Sequence, residues 1–359
     1  MIGPHAENVD GIRAMIDGSV GRIFLDRPRA LNALDLGMVR RMTGLLDGWR
    51  GGSLRAITVE SSTPAMFCAG GDIRRIRQNT VEDRLEDSDD FFASEYRLNA
   101  MMSGYPVPVV ALVDGVCMGG GLGISVHGPV RVVTERALLA MPETAIGFFP
   151  DVGASYFLPR LPGGIGTYLA LTGARLGPAE AIASGLATHH VTSDRLDALV
   201  AALTRDQGPI DGVLRDFATV PTAGADIATQ RAVIDRVFTL PSIDAIMRQL
   251  DEESGEWASA TRAALGSASP QSLELTFDLL VWGRQRSLKE CLVAERAAAR
   301  HVVRSHDFLE GVRAVLVDKD RSPIWGPSQY AGTDTTGTIA WRRTDGSAEG
   351  SEREDHSTA

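Results

Sequence analysis

Two carboxylates, Glu143 and Asp151, stand eight positions apart in the segment MPETAIGFFPDVG (141–153), which contains no lysine or arginine. If both enter one pocket, mutual repulsion and low exposure raise an effective pKa, so that one can act as an acid while the other acts as a base. Gly147, Pro150 and Gly153 argue against a regular helix here, so the spacing alone does not set the two side chains face to face. Capping is the competing explanation: Asp151 suits an N-cap, and Glu143 after Pro142 suits a helix start. A third carboxylate, Glu95, lies in FFASEYRLNAMM (91–102), where an exposed helical glutamate is the default reading.

Backbone chemistry is offered by FCAGGDIR (67–74) and CMGGGLGIS (117–125). Gly119, Gly120 and Gly121 follow a strand-like run, and a strand feeding a glycine turn and then a helix aims several N–H groups at one oxygen or anion. Tight packing explains such a run equally well. A second turn at Gly70–Gly71 adds another donor, and two convergent N–H groups would polarise a carbonyl and stabilise the oxyanion formed on attack.

Other chemistries have less support. Neither G-x-G-x-x-G after the first strand nor G-x-x-x-x-G-K-[ST] is present, and there is no H-E-x-x-H or C-x-x-C, so no metal is expected. Ser125 lacks a nucleophile-elbow context. His127 reads as a capping or packing residue, and His189–His190 as a surface or cap pair. Cys68 and Cys117 precede the glycine turns, where small size accounts for them better than nucleophilic chemistry.

These groups need a scaffold. Strand-like runs at 21–26, 54–60, 107–115 and 131–135 are spaced for the crossovers of a parallel or mixed sheet. A helix is predicted from Asp35, as N-cap, to Trp49, and a shorter one over 177–185 with Pro178 in its first turn. Beyond about 200 the pattern turns helical, in SIDAIMRQLDEE, GEWASATRAAL, PQSLELTFDLLVWG and SLKECLVAERAAARHVVRS. We expect an α/β core over 1–200, a helical region over 201–328, mobile surface structure over 205–228 and a disordered tail over 329–359.

The chain of 359 residues has 46 acidic against 36 basic residues, interspersed, which disfavours nonspecific nucleic-acid binding. Its three cysteines do not resemble a disulfide framework, and the N-terminal stretch lacks the pattern of a signal or transit peptide. A cytoplasmic location is the expectation, with no membrane partner.

The chain resembles the crotonase, or enoyl-CoA hydratase/isomerase, superfamily, and within it the 3-hydroxyisobutyryl-CoA hydrolases. The likeness covers about residues 14–328. It is carried by DRPRALNAL (26–34), FCAGGDIR (67–74), VALVDGVCMGGGLGIS (110–125), MPETAIGFFPDVGASYFLPRLPG (141–163), LALTGARL (169–176) and FLEGVRAVLVDKD (308–320). The resemblance implies an α/β, crotonase-like (ClpP/crotonase) β-β-α spiral core with a C-terminal helical region, acting on a short-chain hydroxyacyl-CoA as a possible homo-oligomer. CoA is then part of the substrate, and no separate cofactor is implied. The family's oxyanion donors fall at Gly71 and Gly120, its catalytic carboxylates at Glu143 and Asp151, and a further substrate contact at Glu95. Arg29, Ala30 and Ala69 fall where the family meets CoA. Hydratases of the family carry a catalytic glutamate three positions beyond the middle glycine, where this chain has Gly123. Thioester hydrolysis is therefore expected over hydration or isomerisation, with a silent acyl-CoA-binding protein as the remaining alternative.

Overall fold

In a computed structural model, which describes residues 7–205, 208–222, 226–334 and 337–341, short strands build a six-stranded sheet whose Val109–Val113 and Val130–Val133 are rich in valine. Its order is Ile12–Asp17, Val20–Leu25, Ala56–Ser61, Val109–Val113, Val130–Val133 and His189–His190. The first two strands form an antiparallel hairpin and every later neighbour is parallel. Val109–Val113 is buried along its whole length because both faces of the sheet are covered. Val109, Ala111 and Val113 face the main core, while Val110 and Leu112 pack beneath the outer helices Leu196–Arg205 and Ile210–Phe217.

Three of these strands are each followed within a few residues by a short strand of a second, parallel sheet: Met66–Cys68, Val116–Met118 and Leu138–Ala140. Helical segments complete the turns, among them Ile73–Val81, Leu85–Ser103 and Gly120–Val126. This is the expected β-β-α spiral, and the ends of the second sheet's strands deliver the glycine turns.

The helix expected from Asp35 spans Leu36–Trp49, with the Asp35 carboxylate accepting from the Met38 N–H at 2.9 Å. Met38, Val39, Met42 and Leu46 give it one buried face. Pro178–Ser184 ends on Gly185 at φ 83°. The later helical patterns appear as Ile243–Glu252, Glu256–Ser267, Pro270–Gly283 and Leu288–Val302. Their apolar faces join the same main core as the spiral, and Leu196–Arg205 runs unbroken across position 200.

Two expectations need correction. Within 205–228 the chain forms the helix Ile210–Phe217, whose Ile210, Val213 and Leu214 are buried, so residues 210–217 are anchored. The predicted tail likewise begins with an antiparallel pair, Tyr330–Thr333 against Ile339–Trp341, held where Tyr330 and Ile339 enter the main core. Residues 342–359 lie outside the described residues.

Candidate active site

A cavity of about 520 Å³ opens beside the glycine turns, and Ala69, Gly71, Glu95, Gly120, Glu143 and Asp151 all line it. Phe91, Phe92 and Phe148 form an apolar wall, with the Phe92 and Phe148 rings stacked at 5.7 Å. Such a wall lowers the local dielectric and makes isolated charge expensive.

Gly120 begins a helix at the end of its strand, and Gly71 ends the loop after Cys68. A Cβ added to Gly120 would stand 3.1 Å from the Gly71 nitrogen and 2.6 Å from Glu95 Oε1. The two backbones and the carboxylate thus crowd one point. Among the described residues neither the Gly71 nor the Gly120 N–H has a protein acceptor, as an oxyanion site requires. Gly119 has an independent reason to be glycine: its φ is 48°, and a Cβ there would meet Glu143 Oε1 at 2.6 Å.

The three carboxylates arrive from separate elements. Glu95 projects from Leu85–Ser103 and is buried, so the exposed-glutamate reading fails. Glu143 opens the 3-10 turn Glu143–Ile146 after Pro142, and Gly147, at φ 70°, ends it. Asp151 follows Pro150 in an irregular turn. It is not an N-cap: Gly153 occupies that position for Ala154–Phe157, and Asp151 Oδ2 instead accepts from the Tyr96 hydroxyl at 2.6 Å. Glu95 Oε1 and Glu143 Oε2 are buried without a protein hydrogen-bond partner among the described residues.

Burial, reinforced by Asp151 and then Glu143, pushes Glu95 well above the usual carboxylate range. Burial and Asp151 do the same to Glu143. Asp151 is pushed up to about 7 by burial, while the Tyr96 hydroxyl pulls it down. The cluster therefore holds protons near neutral pH and titrates as a unit, which suits shuttling a proton between neighbours.

The turn bearing Asp151 is unusual. Val152 sits at φ 52°, a left-handed conformation costly for a β-branched residue, on the order of 1–3 kcal/mol. His127 Nε2 donates to the Val152 carbonyl at 2.7 Å, and burial pushes its imidazole down to about 4, which fits packing rather than proton transfer. Cys68 donates to the Asn32 carbonyl at 3.1 Å, and burial pushes its thiol up to about 12, so it is not a nucleophile. His190 bonds Thr219 Oγ1 at 2.8 Å at the sheet edge.

Arg29 and Ala30 form the 3-10 turn Pro28–Ala30, and neither lines the cavity. They lie next to its rim, because the Ala69 N–H donates to the carbonyl of Leu31 at 3.1 Å. Sequence reasoning missed Tyr96, whose only signal was adjacency to Glu95, and Arg175 and Arg321, two exposed cations that line the cavity.

The fold and this pairing of backbone donors with buried carboxylates define an acyl-CoA enzyme of the crotonase type. A family model described as enoyl-CoA hydratase/isomerase matches residues 20–338, and the chain belongs to that family. Its similarity to 3-hydroxyisobutyryl-CoA hydrolases is strong. It is 41% identical over 324 residues to the mitochondrial enzyme of Danio rerio, a match covering 88% of this chain and 85% of that one. It is likewise 41% identical over 321 residues to 3-hydroxyisobutyryl-CoA hydrolase 1 of Arabidopsis thaliana, covering 86% and 85%. Among solved structures, a carnitinyl-CoA dehydratase from Mycobacterium thermoresistibile superposes with a TM-score of 0.82 at 36% identity, over 88% of this chain and 91% of that one. An enoyl-CoA hydratase from Rhodobacter sphaeroides gives 0.80 at 36% identity, over 88% and 92%.

These relatives correct the expectation of a cytoplasmic location, because the Danio rerio, Xenopus and mammalian proteins are named as mitochondrial. Three dispersed, buried thiols report only reducing surroundings and cannot tell one reducing compartment from another. Among the described residues no helix is long and apolar enough to cross a membrane.

Proposed function

We propose that the protein hydrolyses the thioester of 3-hydroxyisobutyryl-CoA, or a similar short 3-hydroxyacyl-CoA, releasing the hydroxy acid and CoA in valine breakdown. The observation that carries hydrolysis over hydration is the packing at Gly123. A Cβ there would lie 2.7 Å from Val152 Cβ and 3.0 Å from Asn99 Nδ2, so the second glutamate of a hydratase has no room. The two solved structures named as a dehydratase and a hydratase share the fold, but the paired-glutamate chemistry of a hydratase needs a second glutamate where this chain has Gly123.

In this reading the thioester oxygen takes the N–H groups of Gly71 and Gly120. Glu143, having passed its proton to Asp151, attacks the carbonyl carbon to give an anhydride and expel the CoA thiolate, or else removes a proton from the water that attacks directly. Asp151, steadied by Tyr96, supplies the proton to the departing sulfur. Water then cleaves the anhydride if one forms, regenerating Glu143. The free Oε1 of Glu95 suits the substrate's 3-hydroxyl, and a buried acceptor of this kind discriminates against acyl groups lacking a hydroxyl. Ala69 at the rim, with Arg29 and Ala30 beside it, contacts the CoA portion, Arg29 as a phosphate partner.

The test supplies 3-hydroxyisobutyryl-CoA and methylacrylyl-CoA separately and follows free thiol together with product mass. Free CoA and 3-hydroxyisobutyrate from the first substrate are expected. Hydration of the second without thiol release would replace this reading with a hydratase, and binding without turnover of either would point to a silent acyl-CoA-binding protein.

A further inference from the structure

One buried carboxylate takes no part in the chemistry above. Glu295, on Leu288–Val302, is fully buried and reaches across 140 residues of sequence to the turn that follows Asp151. Its Oε2 accepts from the Gly153 N–H at 2.7 Å, and its Oε1 accepts from the Ser155 N–H at 2.9 Å and the Ser155 hydroxyl at 2.5 Å. These bonds grip Gly153 and Ser155, just beyond Val152, while His127 holds the Val152 carbonyl. Gly153 is itself left-handed, at φ 87°, so two consecutive residues of the turn stand in conformations that need outside support. Glu295's own helix is fixed to the helix carrying Glu95 and Tyr96, because Arg296 and Arg300 both bond the Asp89 carboxylate, the closest contacts being 2.7 Å.

We propose that Glu295 is a positioning residue: it clamps the Asp151–Ser155 turn in its strained shape and thereby fixes the Asp151 carboxylate against Tyr96 and the cavity. The Asp151 carboxylate also adds to the rise of Glu295, after burial. The groups facing Asp151 are Tyr96 and Glu95 from Leu85–Ser103, Glu143 from its 3-10 turn and Glu295 itself; those facing Glu295 are Asp151, Tyr96, Ser155 and Cys291. Burial raises Glu295 to about 8 against the pull of its three donors, so it and Asp151 exchange protons over overlapping pH ranges.

Glu295→Gln keeps the volume and one acceptor oxygen but sets an amide NH2 against donors of the Gly153–Ser155 turn. In the full chain, the Asp151 carboxyl is titrated by carbon-13 NMR, with Asp151→Asn identifying its resonance. Its midpoint is expected to move to higher pH, because a loosened turn carries Asp151 away from the Tyr96 hydroxyl that pulls it down. The kinetic readout rests on the proposed hydrolysis: kcat should fall roughly tenfold to hundredfold, with KM held within about twofold. An unmoved midpoint with unchanged kcat, alongside a lowered melting temperature, would make Glu295 a packing residue and overturn the assignment. If the unsubstituted protein releases no CoA, the hydrolase reading fails, and the NMR midpoint alone still decides the role of Glu295. Should Glu295→Gln fail to fold, Ser155→Ala loosens the same clamp while keeping both N–H bonds. An upward shift of the Asp151 midpoint there supports the proposal, and no shift refutes it.

Discussion

Gly120→Ala is the most direct probe of the oxyanion site. The new methyl group would lie 2.6 Å from Glu95 Oε1, well inside contact distance, and 3.1 Å from the Gly71 nitrogen. The carboxylate is the far end of a flexible side chain bordering a cavity, so it can swing aside and the fold survives. The methyl then occupies the space in front of the donors where the thioester oxygen must sit. Loss of one donor costs roughly 10²–10³ in kcat, about 2.7–4 kcal/mol of transition-state stabilisation, and displacement of Glu95 adds to that. The assay is CoA release under saturating 3-hydroxyisobutyryl-CoA, with circular dichroism and melting to show that the variant is folded. A folded variant with kcat within about threefold of the unsubstituted protein would remove the oxyanion role from this pair of glycines.

Tyr96→Phe removes the hydroxyl that pulls Asp151 down, so the Asp151 midpoint should rise above about 7. The alkaline limb of the kcat profile should follow it upward, and a limb that stays in place would detach Asp151 from thiolate protonation. Glu95→Gln should slow hydrolysis of 3-hydroxyacyl-CoAs more than of acyl-CoAs lacking the hydroxyl; equal losses on both would end its role in selectivity. Stability should fall as pH rises from about 4 to 8, because Asp151 at about 7 and Glu295 at about 8 retain protons in the folded chain that the unfolded chain has already released. Thermal melting across that range checks the sign, and a rise in stability would contradict it. Asp35→Ala should cost about 0.5–2 kcal/mol by denaturant unfolding and leave kcat unchanged, since the cap lies outside the cavity lining.

Much of this was legible before the coordinates. Asp35, Pro178 and Gly185 marked helix ends correctly because capping is a local transaction between a side chain and its nearest backbone. The strands Met66–Cys68, Val116–Met118 and Leu138–Ala140 escaped notice because three residues are too few to display an alternation. At the site, the grouping of Glu95, Glu143 and Asp151 came from likeness to a family; their spacing could not place an irregular turn opposite a distant helix. Glu295 did leave a trace, as a carboxylate on the stripe of Cys291, Leu292, Ala294, Ala298 and Ala299 that faces the core. A charge on a buried stripe calls for a partner, and no local rule names Gly153 and Ser155 as that partner.

The distance in sequence between Asp151 and its brace also governs when the enzyme can begin to work. A ribosome delivers the spiral, the cavity's glycine turns and all three cavity carboxylates well before it reaches Glu295. Until then Gly153 and Ser155 lack their acceptor, and apolar faces later covered by Pro270–Gly283 and Leu288–Val302 remain open to water. A nascent or prematurely terminated chain thus holds every group of the proposed chemistry yet not the arrangement that would make them react. Catalytic competence arrives with the last helices, and the same step conceals the sticky surface that would mark an unfinished chain for removal.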